Sequence, residues 1–371
     1  MLLFIDGFDH WGSDTAEAYA NMSSGTYANV PSASFQYDFA LSAFARTGLY
    51  SVRFCLQGAY GPFVCGGVRR VFGGEKTTVG LGYALYLEDL PDRDNLTTTL
   101  ALIMDNTNTT QCSLSLWTTG QIAAYRGTPS DSRLLAVSDV PVIVADAWQH
   151  VEASFTIGDS DGAIEVRVNG ETVLSVMNVD TQATAITTAA QVIYPCGLGS
   201  LGTSRIFGYF CDLFCWDNLT DNNNDFIGDK KVYTLWPNDD TSTSEWENYG
   251  ASSPYNCINE HSQDGDNTYI AADWPGSSSV FTSDFEFEDL PAEVVSIAGV
   301  QTYIMSRKTD AGIATFQPSL LTTSYDTNGE THALTTEYTY YDDVFETNPD
   351  TGAAWTPEEL NAAQLRIQRV L

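Results

Sequence analysis

The dominant pattern along this 371-residue chain is an alternation of apolar side chains with polar or small ones. The segments 50–56, 79–87 and 151–157 each place a mainly large apolar residue at every second position. Successive side chains of a strand point to opposite faces, so this period predicts strands with one face in a core and the other toward solvent or a second layer. The pattern therefore predicts an all-β protein built on long antiparallel sheets.

Turn signals between these segments agree with antiparallel pairing. Asn169-Gly170 separates IEVRV from ETVLSV and is a strong two-residue hairpin signal, because both positions accept a positive φ. Thr119-Gly120 joins CSLSLW to QIAAYR and is a weaker signal of the same kind. No helical period persists through the first half of the chain, and no helix is expected there.

The C-terminus carries a helix-start signal followed by a strand pattern. Thr356 at the N-cap, Pro357 at the first helical position and Glu359 at the third form a capping box. We expect a short helix to about Ala363. The alternation in 365–370 then predicts a terminal strand that anchors the C-terminus in a sheet.

An Asn/Asp-rich stretch at 217–229 separates two strand-rich halves. Domain boundaries fall in polar linkers of this kind. A chain of 371 residues is also long enough for two cores of ordinary size. We therefore expect two domains, residues 1–218 and 219–371.

Composition excludes several classes of function. The chain has 16 Lys+Arg against 48 Asp+Glu, a formal net charge of −32, so it lacks the cations that neutralise nucleic-acid phosphates. The N-terminus lacks the basic and apolar regions of a signal peptide, and no run approaches the ~18 apolar residues of a membrane span. We expect neither nucleic acid nor membrane as a partner. The odd count of seven cysteines predicts free thiols in a reducing cytoplasm.

Residues 148–173 carry a resemblance to a known fold. They read WQHVEASFTIGDSDGAIEVRVNGETV, which resembles the Trp-x-His-Val strand, Asp/Gly turn and Asn-Gly hairpin of concanavalin-A-like and laminin-G-like jelly rolls. FIDGFDHW at 4–11 and the closing strand GYFCDLFCWDNL at 208–219 extend the resemblance. It implies a concanavalin-like jelly-roll sandwich over residues 1–218, followed by a second β-rich module with a short C-terminal helix.

The junction at 217–237 carries a second resemblance. It reads DNLTDNNNDFIGDKKVYTLWP, which is similar to the junction after a laminin-G-like jelly roll in structural proteins of tailed bacteriophages. The resemblance implies a non-enzymatic virion protein, assembled in the host cytoplasm as a peripheral tail-associated or fibre-like component. The partners it implies are other virion proteins, tail or capsid subunits, and host surface glycans, with this chain present in multiple copies. Two alternatives stay open: a capsid-surface decoration protein, and a carbohydrate-active enzyme on a jelly-roll scaffold.

Residues able to carry catalysis are few, and none is assigned as catalytic. His150 is interpreted as a strand residue beside Trp148 whose ring is hydrogen-bonded. Glycosidases on this scaffold need two carboxylates at a defined separation. The nearest candidates, Glu286 and Glu288, share a strand face with Asp284 and are interpreted as an acidic solvated face.

Two Asp/Asn clusters raise the question of a bound cation. Asp221, Asn223 and Asp225 have the alternating spacing of an oxygen-rich calcium loop, but they lack its glycine and its final acidic residue. Asp159 and Asp161 could contribute further ligands, because laminin-G-like modules often bind calcium at a loop edge. The alternative for both clusters is a plain turn. Ca²⁺ is the one cofactor considered.

Aromatic residues are the remaining candidates for ligand binding, because exposed rings pack against the apolar faces of sugars. Trp117, Trp216 and Tyr209 fall in strand patterns and are assigned to the core. The candidates for an exposed sugar-binding role lie in Gly/Ser/Asp-rich surroundings; they are Trp11, Trp246 and Trp274.

Overall fold

The chain divides into two compact units. The computed structural model describes residues 1–24, 27–29, 39–57, 68–91, 98–194, 196–197, 206–272, 280–324 and 326–370. Unit 1 comprises Met1–Asp9, Asp14–Ser23 and Tyr27–Val232, and unit 2 comprises His10–Ser13, Ser24–Thr26 and Tyr233–Leu371. Compactness does not establish independent folding, so the boundary between residues 218 and 219 stays a prediction.

Unit 1 is an antiparallel β-sandwich with one α-helix, α1 (Thr15–Ser23), in the part of the chain that the structure describes. Its strands, in chain order, are β1 (Leu2–Asp6), β2 (Tyr27–Asn29), β3 (Phe39–Ser42), β4 (Ser51–Gln57), β5 (Arg69–Lys76), β6 (Thr78–Leu87), β7 (Thr98–Met104), β8 (Thr110–Leu116), β9 (Ile122–Arg126), β10 (Leu134–Val137), β11 (Gln149–Thr156), β12 (Gly162–Val168), β13 (Glu171–Val179), β14 (Ala189–Ile193), β15 (Cys196–Gly197) and β16 (Ile206–Asp217).

These strands form two sheets, as the alternating pattern predicts. Sheet A has the order β13-β12-β11-β6-β16-β4-β3, with β1 paired to the end of β16. Sheet B has the order β10-β9-β8-β7-β14-β5-β2, with β15 paired to β7. The jelly-roll, all-β class is confirmed.

The core of unit 1 lies between the two sheets. The alternating residues Val79, Leu81, Tyr83 and Leu85 of β6 are fully buried there. Tyr83 crosses the interface, because its hydroxyl donates to the Leu100 carbonyl of β7 at 2.9 Å. Burying each large apolar side chain contributes about 1.5–3 kcal/mol, so this face fixes which side of sheet A turns outward.

The predicted hairpins are confirmed. Asn169 and Gly170 have φ values of 51° and 85° and join β12 to β13, which pair antiparallel. Gly120, with φ 82°, lies in the turn between β8 and β9. Both turns take the left-handed backbone that glycine and asparagine accept at low cost.

The expectation of no helix in the first half is wrong. The side chain of Asp14 caps α1 by accepting hydrogen bonds from the Ala16 and Glu17 amides at 2.8 and 2.9 Å. Tyr19 and Met22 of this helix are buried. Nine residues are too few to stand out from the surrounding alternation, so packing and the cap decide the local structure.

Unit 2 contains three sheets in its described part. Its strands are β17 (Pro237–Ser244), β18 (Glu247–Tyr249), β19 (Tyr269–Ala271), β20 (Thr282–Phe287), β21 (Val300–Ser306), β22 (Thr315–Leu321), β23 (Asp326–Asn328), β24 (His332–Ala333), β25 (Thr339–Phe345) and β26 (Gln364–Val370). The main sheet has the order β17-β20-β26-β22-β23, with β24 also paired to β22, while β18–β19 and β21–β25 form two-stranded ribbons.

The predicted C-terminal elements are confirmed. Helix α2 (Pro357–Asn361) starts with the capping box, in which Thr356 and Glu359 exchange side-chain to backbone hydrogen bonds. Strand β26 then runs between β20 and β22. On β20, Asp284 is buried and forms a double hydrogen bond with Arg366 at 2.7 and 2.9 Å. Its assignment to a solvated acidic face is therefore wrong.

Five cysteines with described side chains are buried; they are Cys55, Cys112, Cys211, Cys215 and Cys257. Cys112, Cys211, Cys215 and Cys257 are free thiols. Cys65 lies outside the described residues, as does the side chain of Cys196. Among the described residues, no helix is long and apolar enough to cross a membrane.

Strand β26 yields a stability prediction for unit 2. Ile367 is buried with Phe285 and Phe316, so Ile367→Ala should lower the free energy of unfolding by about 2–5 kcal/mol. Gln368→Ala, at the half-buried neighbouring position, is the control and should lower the free energy of unfolding far less. Denaturant unfolding followed by tryptophan fluorescence measures both. Equal effects of the two variants would contradict a core role for β26.

Candidate functional site

The candidate site lies on the face of sheet A that points away from sheet B, which we call the outer face. On β6 this face carries Gly80, Gly82, Ala84 and Tyr86. A Cβ at Gly80 or Gly82 would clash with the rings of Trp216 and Phe214, which lie directly over these glycines. Small residues thus let the rings of β16 lie flat against one half of the face, and Tyr86 marks the other half.

At a β-bulge in β16, the alternation of its side chains between the two faces of sheet A is reversed. Before it, Phe210 points inward and packs against Phe8 and Phe54. Asp212 has φ 54°, and the pairing with β6 shifts between Cys211 and Phe214. Extra residues in one strand re-aim its side chains, which is why Phe214 and Trp216 reach the outer face.

A row of large side chains crosses the other half of the outer face. Tyr209 of β16 pairs with Arg53 of β4 on one side and with Tyr86 of β6 on the other. Trp148, just before β11, follows in the same row, with its ring centroid 5.7 Å from that of Tyr86. Phe44 lies against three of these rings. We call Phe44, Arg53, Tyr86, Trp148 and Tyr209 the aromatic row.

Phe44 covers the row from the loop before β4. Its ring stacks on Trp148 at 5.6 Å with an interplanar angle of 19°, and meets Tyr86 and Tyr209 edge-on at 4.8 and 5.0 Å. Phe44 is nevertheless 45% exposed. The Ser51 hydroxyl donates to its carbonyl at 2.6 Å and holds the loop in place. The row therefore presents an aromatic surface to solvent.

Each tyrosine of the row is joined to a carboxylate. Tyr209 donates to Glu88 at 2.8 Å, and Tyr86 donates to Asp146 at 3.2 Å. Burial, followed by the bond to Glu88, raises the pKa of Tyr209 to about 12. Burial and the bond to Asp146 also raise the pKa of Tyr86. Both phenols therefore keep their protons at neutral pH.

Arg53 supplies a positive charge at the end of the row. Its guanidinium lies over the Phe207 ring, 4.7 Å from the centroid. Its Nε is buried and has no hydrogen-bond partner within the described part of the chain. A buried donor without a partner costs free energy, so a local movement that brings an acceptor to this nitrogen would be favourable.

The other half of the outer face is covered by residues Phe226–Val232, which we call the strap. Glu152 of β11 accepts hydrogen bonds from the strap amides of Ile227 and Gly228 at 2.8 and 3.1 Å. Asp212 accepts one from the Val232 amide at 2.9 Å. Both carboxylates are buried, and burial raises the pKa of each against the opposing effect of these hydrogen bonds.

Side chains complete the attachment of the strap. Phe226 lies between Arg167, whose guanidinium is 3.8 Å from the ring centroid, and the edge of Trp216 at 6.0 Å. Arg46 binds Asp229 of the strap at 2.7 Å and also faces Asp212 at 3.7 Å. The strap is thus held mainly by polar and charged contacts.

His150 lies on the outer face, beside Phe214 and close to the strap. Its ring stacks on Phe214 at 5.8 Å, and it is 2% exposed. Neither ring nitrogen has a hydrogen-bond partner among the described residues, so the interpretation of a hydrogen-bonded ring is wrong. Burial lowers the pKa of His150 to about 4, with Asp229 opposing and Arg46 adding to this shift.

The tryptophans proposed from sequence are not gathered in one site. Trp11 is fully buried in unit 2, where it packs on Tyr303 and Tyr340, so it presents no ring to solvent. Trp246 packs against a core cluster of unit 2 and donates to the Phe281 carbonyl at 3.2 Å. Trp274 lies outside the described residues.

The proposed calcium ligands lie in loops. Asp159 and Asp161 are exposed in the turn between β11 and β12, while Asp221, Asn223 and Asp225 follow β16. Within the described ranges, no group of three or more His, Cys, Asp or Glu residues is placed to hold a metal ion. Whether either loop binds calcium stays a prediction.

The aromatic row was missed because strand aromatics were assigned to the core. Tyr209 is half-buried on the outer face, which corrects that assignment. The sequence did contain a signal for Tyr86. Tyr86 is an even-numbered residue of β6, like Gly80, Gly82 and Ala84, whereas the large apolar residues of this strand are odd-numbered. That parity places it on the outer face.

Comparison with known proteins gives fold likeness at low identity. No protein-family model and no curated protein matches the chain. A solved structure of an endo-β-1,4-glucuronan lyase from the fungus Trichoderma reesei shares 11% identity, covering 48% of this chain and 85% of the other at a TM-score of 0.37. Alginate lyase Aly36B shares 11%, covering 58% and 96% at 0.39. Alginate lyase vAL-1 from Chlorella virus shares 14%, covering 48% and 88% at 0.35.

These findings correct the expected function. The expectation of a non-enzymatic virion structural protein is wrong, because the similar solved structures named above are polysaccharide lyases. Likeness at this level assigns neither reaction nor substrate, which must come from the side chains.

The environment of His150 predicts its titration. Its folded pKa of about 4 lies below the unfolded value of 6.5, so the unfolded chain binds the proton first. Stability should therefore fall as pH drops from about 6.5 toward 4, and His150→Leu should reduce that slope. Nuclear magnetic resonance of the His150 ring measures the pKa directly. A midpoint near 6.5 would show that the ring is solvated.

Proposed function

We propose that unit 1 is a carbohydrate-active enzyme that binds an extended glycan along the aromatic row and cleaves a glycosidic bond there. The observation that supports the proposal is the row itself. It places partly exposed rings, a guanidinium and two tyrosine–carboxylate pairs side by side on one outer face.

The rings supply the binding surface. The apolar faces of pyranose rings pack on aromatic side chains, and Phe44 and Trp148 present such rings beside Tyr86. Arg53, which is half-buried, offers its guanidinium to a hydroxyl or carboxylate of the sugar. Arg53 and Tyr86 lie on strands of sheet A, and the Phe44 loop is held by the Ser51 hydroxyl, so little ordering is needed before a glycan binds.

The tyrosine–carboxylate pairs supply proton transfer. Cleavage of a glycosidic bond needs a proton at the leaving oxygen and a base for the attacking or departing proton. Tyr209 keeps its proton at neutral pH and is the proposed donor. Glu88 is within hydrogen-bond distance of the same phenol and is exposed, so it is the proposed base.

The overall charge of the protein limits the charge of the glycans that it can bind. A net charge of −32 produces a field that repels polyanions, and Arg53 is the one cation of the aromatic row. The proposed substrate is therefore a neutral or sparsely charged glycan. Binding of such a glycan should change little with salt, because screening acts on charged partners.

The catalytic assignment predicts large losses of rate. Tyr209→Phe and Glu88→Gln should each lower kcat by about 10²–10⁴-fold, the usual contribution of a positioned acid or base, with KM changed far less. The assay is release of reducing ends from a panel of neutral and uronate-containing polysaccharides. Ultraviolet absorbance of an unsaturated product distinguishes elimination from hydrolysis.

Matched controls separate chemistry from folding. Tyr50→Phe and Glu171→Gln change the same residue types outside the row and should keep full activity. No product from any polysaccharide with the folded wild-type protein would contradict the enzyme. Full activity of both Tyr209→Phe and Glu88→Gln would contradict this site.

The binding assignment predicts a separate effect on affinity. Trp148→Ala should raise Kd for a bound glycan by about tenfold, since a lost aromatic stacking contact is worth roughly 0.5–1.5 kcal/mol beyond its buried area. Trp117→Phe keeps a ring outside the row and should leave Kd unchanged. Isothermal titration calorimetry measures both. An unchanged Kd for Trp148→Ala would place the glycan elsewhere.

A further inference from the structure

The aromatic row and the strap-covered half belong to one continuous face of sheet A. His150 pairs with Ala84, two residues before Tyr86 on β6, and Cys211 lies on the other side of Ala84. Side chains two residues apart on a strand lie on the same face. The outer face therefore continues from the row directly beneath the strap, with no intervening strand.

The contacts beneath the strap are unlike those of a permanent core. Two buried carboxylates, Glu152 and Asp212, hold three strap amides. Buried charges stabilise a fold poorly compared with apolar residues of the same volume, because desolvation offsets most of their attraction. A polar attachment of this kind can exchange its partners for water or for the hydroxyls of a ligand.

His150 provides an independent observation. It is 2% exposed, yet neither of its nitrogens has a hydrogen-bond partner in the described part of the chain. Leaving such a group unsatisfied costs free energy that the closed strap must offset. Opening the strap would return both nitrogens to solvent or to a ligand.

We propose that the strap, Phe226–Val232, is a displaceable cover, and that the face beneath it, with His150, Glu152 and Asp212, is the second half of the glycan-binding surface. This inference rests on the proposed function. With the strap closed, the row alone binds short glycans. With the strap displaced, longer glycans extend along the face and replace the strap amides as hydrogen-bond partners of the two carboxylates.

The opening can be tested without a glycan. Phe226→Ala removes the contacts with Arg167 and Trp216 and should speed amide exchange of Ile227, Gly228 and Val232 about tenfold, the combined scale of a cation–π and an aromatic contact. Asp229→Asn removes the ion pair with Arg46 and should speed amide exchange of the strap about twofold to fivefold. Lys231→Gln, an exposed strap substitution, is the control.

Chemical modification of His150 gives the second measurement. Diethyl pyrocarbonate modifies unprotonated imidazole, and peptide mass spectrometry resolves His150 from the other three histidines. The variants that speed amide exchange of the strap most should also speed modification of His150 most. The amides of the β11–β12 pair should exchange at wild-type rates in every variant. Strap amides that exchange as slowly as those of β11 in every variant, with His150 unmodified, would overturn the displaceable strap.

Binding of di- and hexasaccharides of β-1,4-linked glucose, mannose and xylose tests the second half of the surface. Phe226→Ala should tighten hexasaccharide binding and leave disaccharide binding unchanged. Equal effects on both lengths would overturn the extended surface. If the strap opens as expected but no oligosaccharide binds even to wild type, the proposed function fails while the strap motion stands.

Discussion

The bulge at Asp212 is the constraint on which the outer face of sheet A depends. Its left-handed backbone, with φ 54°, divides β16 into two parts that pair with different neighbours, β4 before it and β1 after it. It also reverses which residues face outward, so Tyr209 belongs to the aromatic row and Phe214 to the covered half. The buried carboxylate of Asp212 then fixes Thr47, Arg46 and the Val232 amide around the same point.

The two halves of the face consequently differ in chemistry. On the open half, rings and tyrosine–carboxylate pairs meet solvent, and Arg53, the one cation of the aromatic row, keeps a donor that no described residue satisfies. On the covered half, carboxylates bind backbone amides of the strap and His150 stays neutral. In the proposed function, one sheet face thus combines a formed glycan-binding surface with a second area that opening of the strap would expose. Local openings of this kind draw on regions held by few apolar contacts.

Much of the fold could be predicted from sequence because its signals are local. Asn169-Gly170 needs positive φ at both positions, the Thr356 and Glu359 capping box is complete within four residues, and the alternation in β6 identifies its buried face. Helix α1 was missed because a nine-residue helix within alternating segments carries too weak a period.

The site could not be predicted in the same way. The aromatic row depends on the register of strands that lie far apart in the sequence; it brings together Arg53, Tyr86, Trp148 and Tyr209. More than 150 residues separate Arg53 from Tyr209, and no local sequence pattern encodes that register. The strap was interpreted as a linker, since its Asn/Asp-rich surroundings resemble one. Its attachment depends on Glu152 and Asp212, which come from two different strands. The resemblance to virion proteins therefore led to a wrong function even though its fold implication was correct.

The most direct test of the account is a crystal structure of the protein with a bound oligosaccharide from a polysaccharide that it cleaves. The account predicts sugar rings packed on Phe44 and Trp148, a hydrogen bond to the Arg53 guanidinium, and a glycosidic oxygen next to the Tyr209 hydroxyl. An oligosaccharide bound away from the outer face of sheet A, with the aromatic row unoccupied, would contradict it.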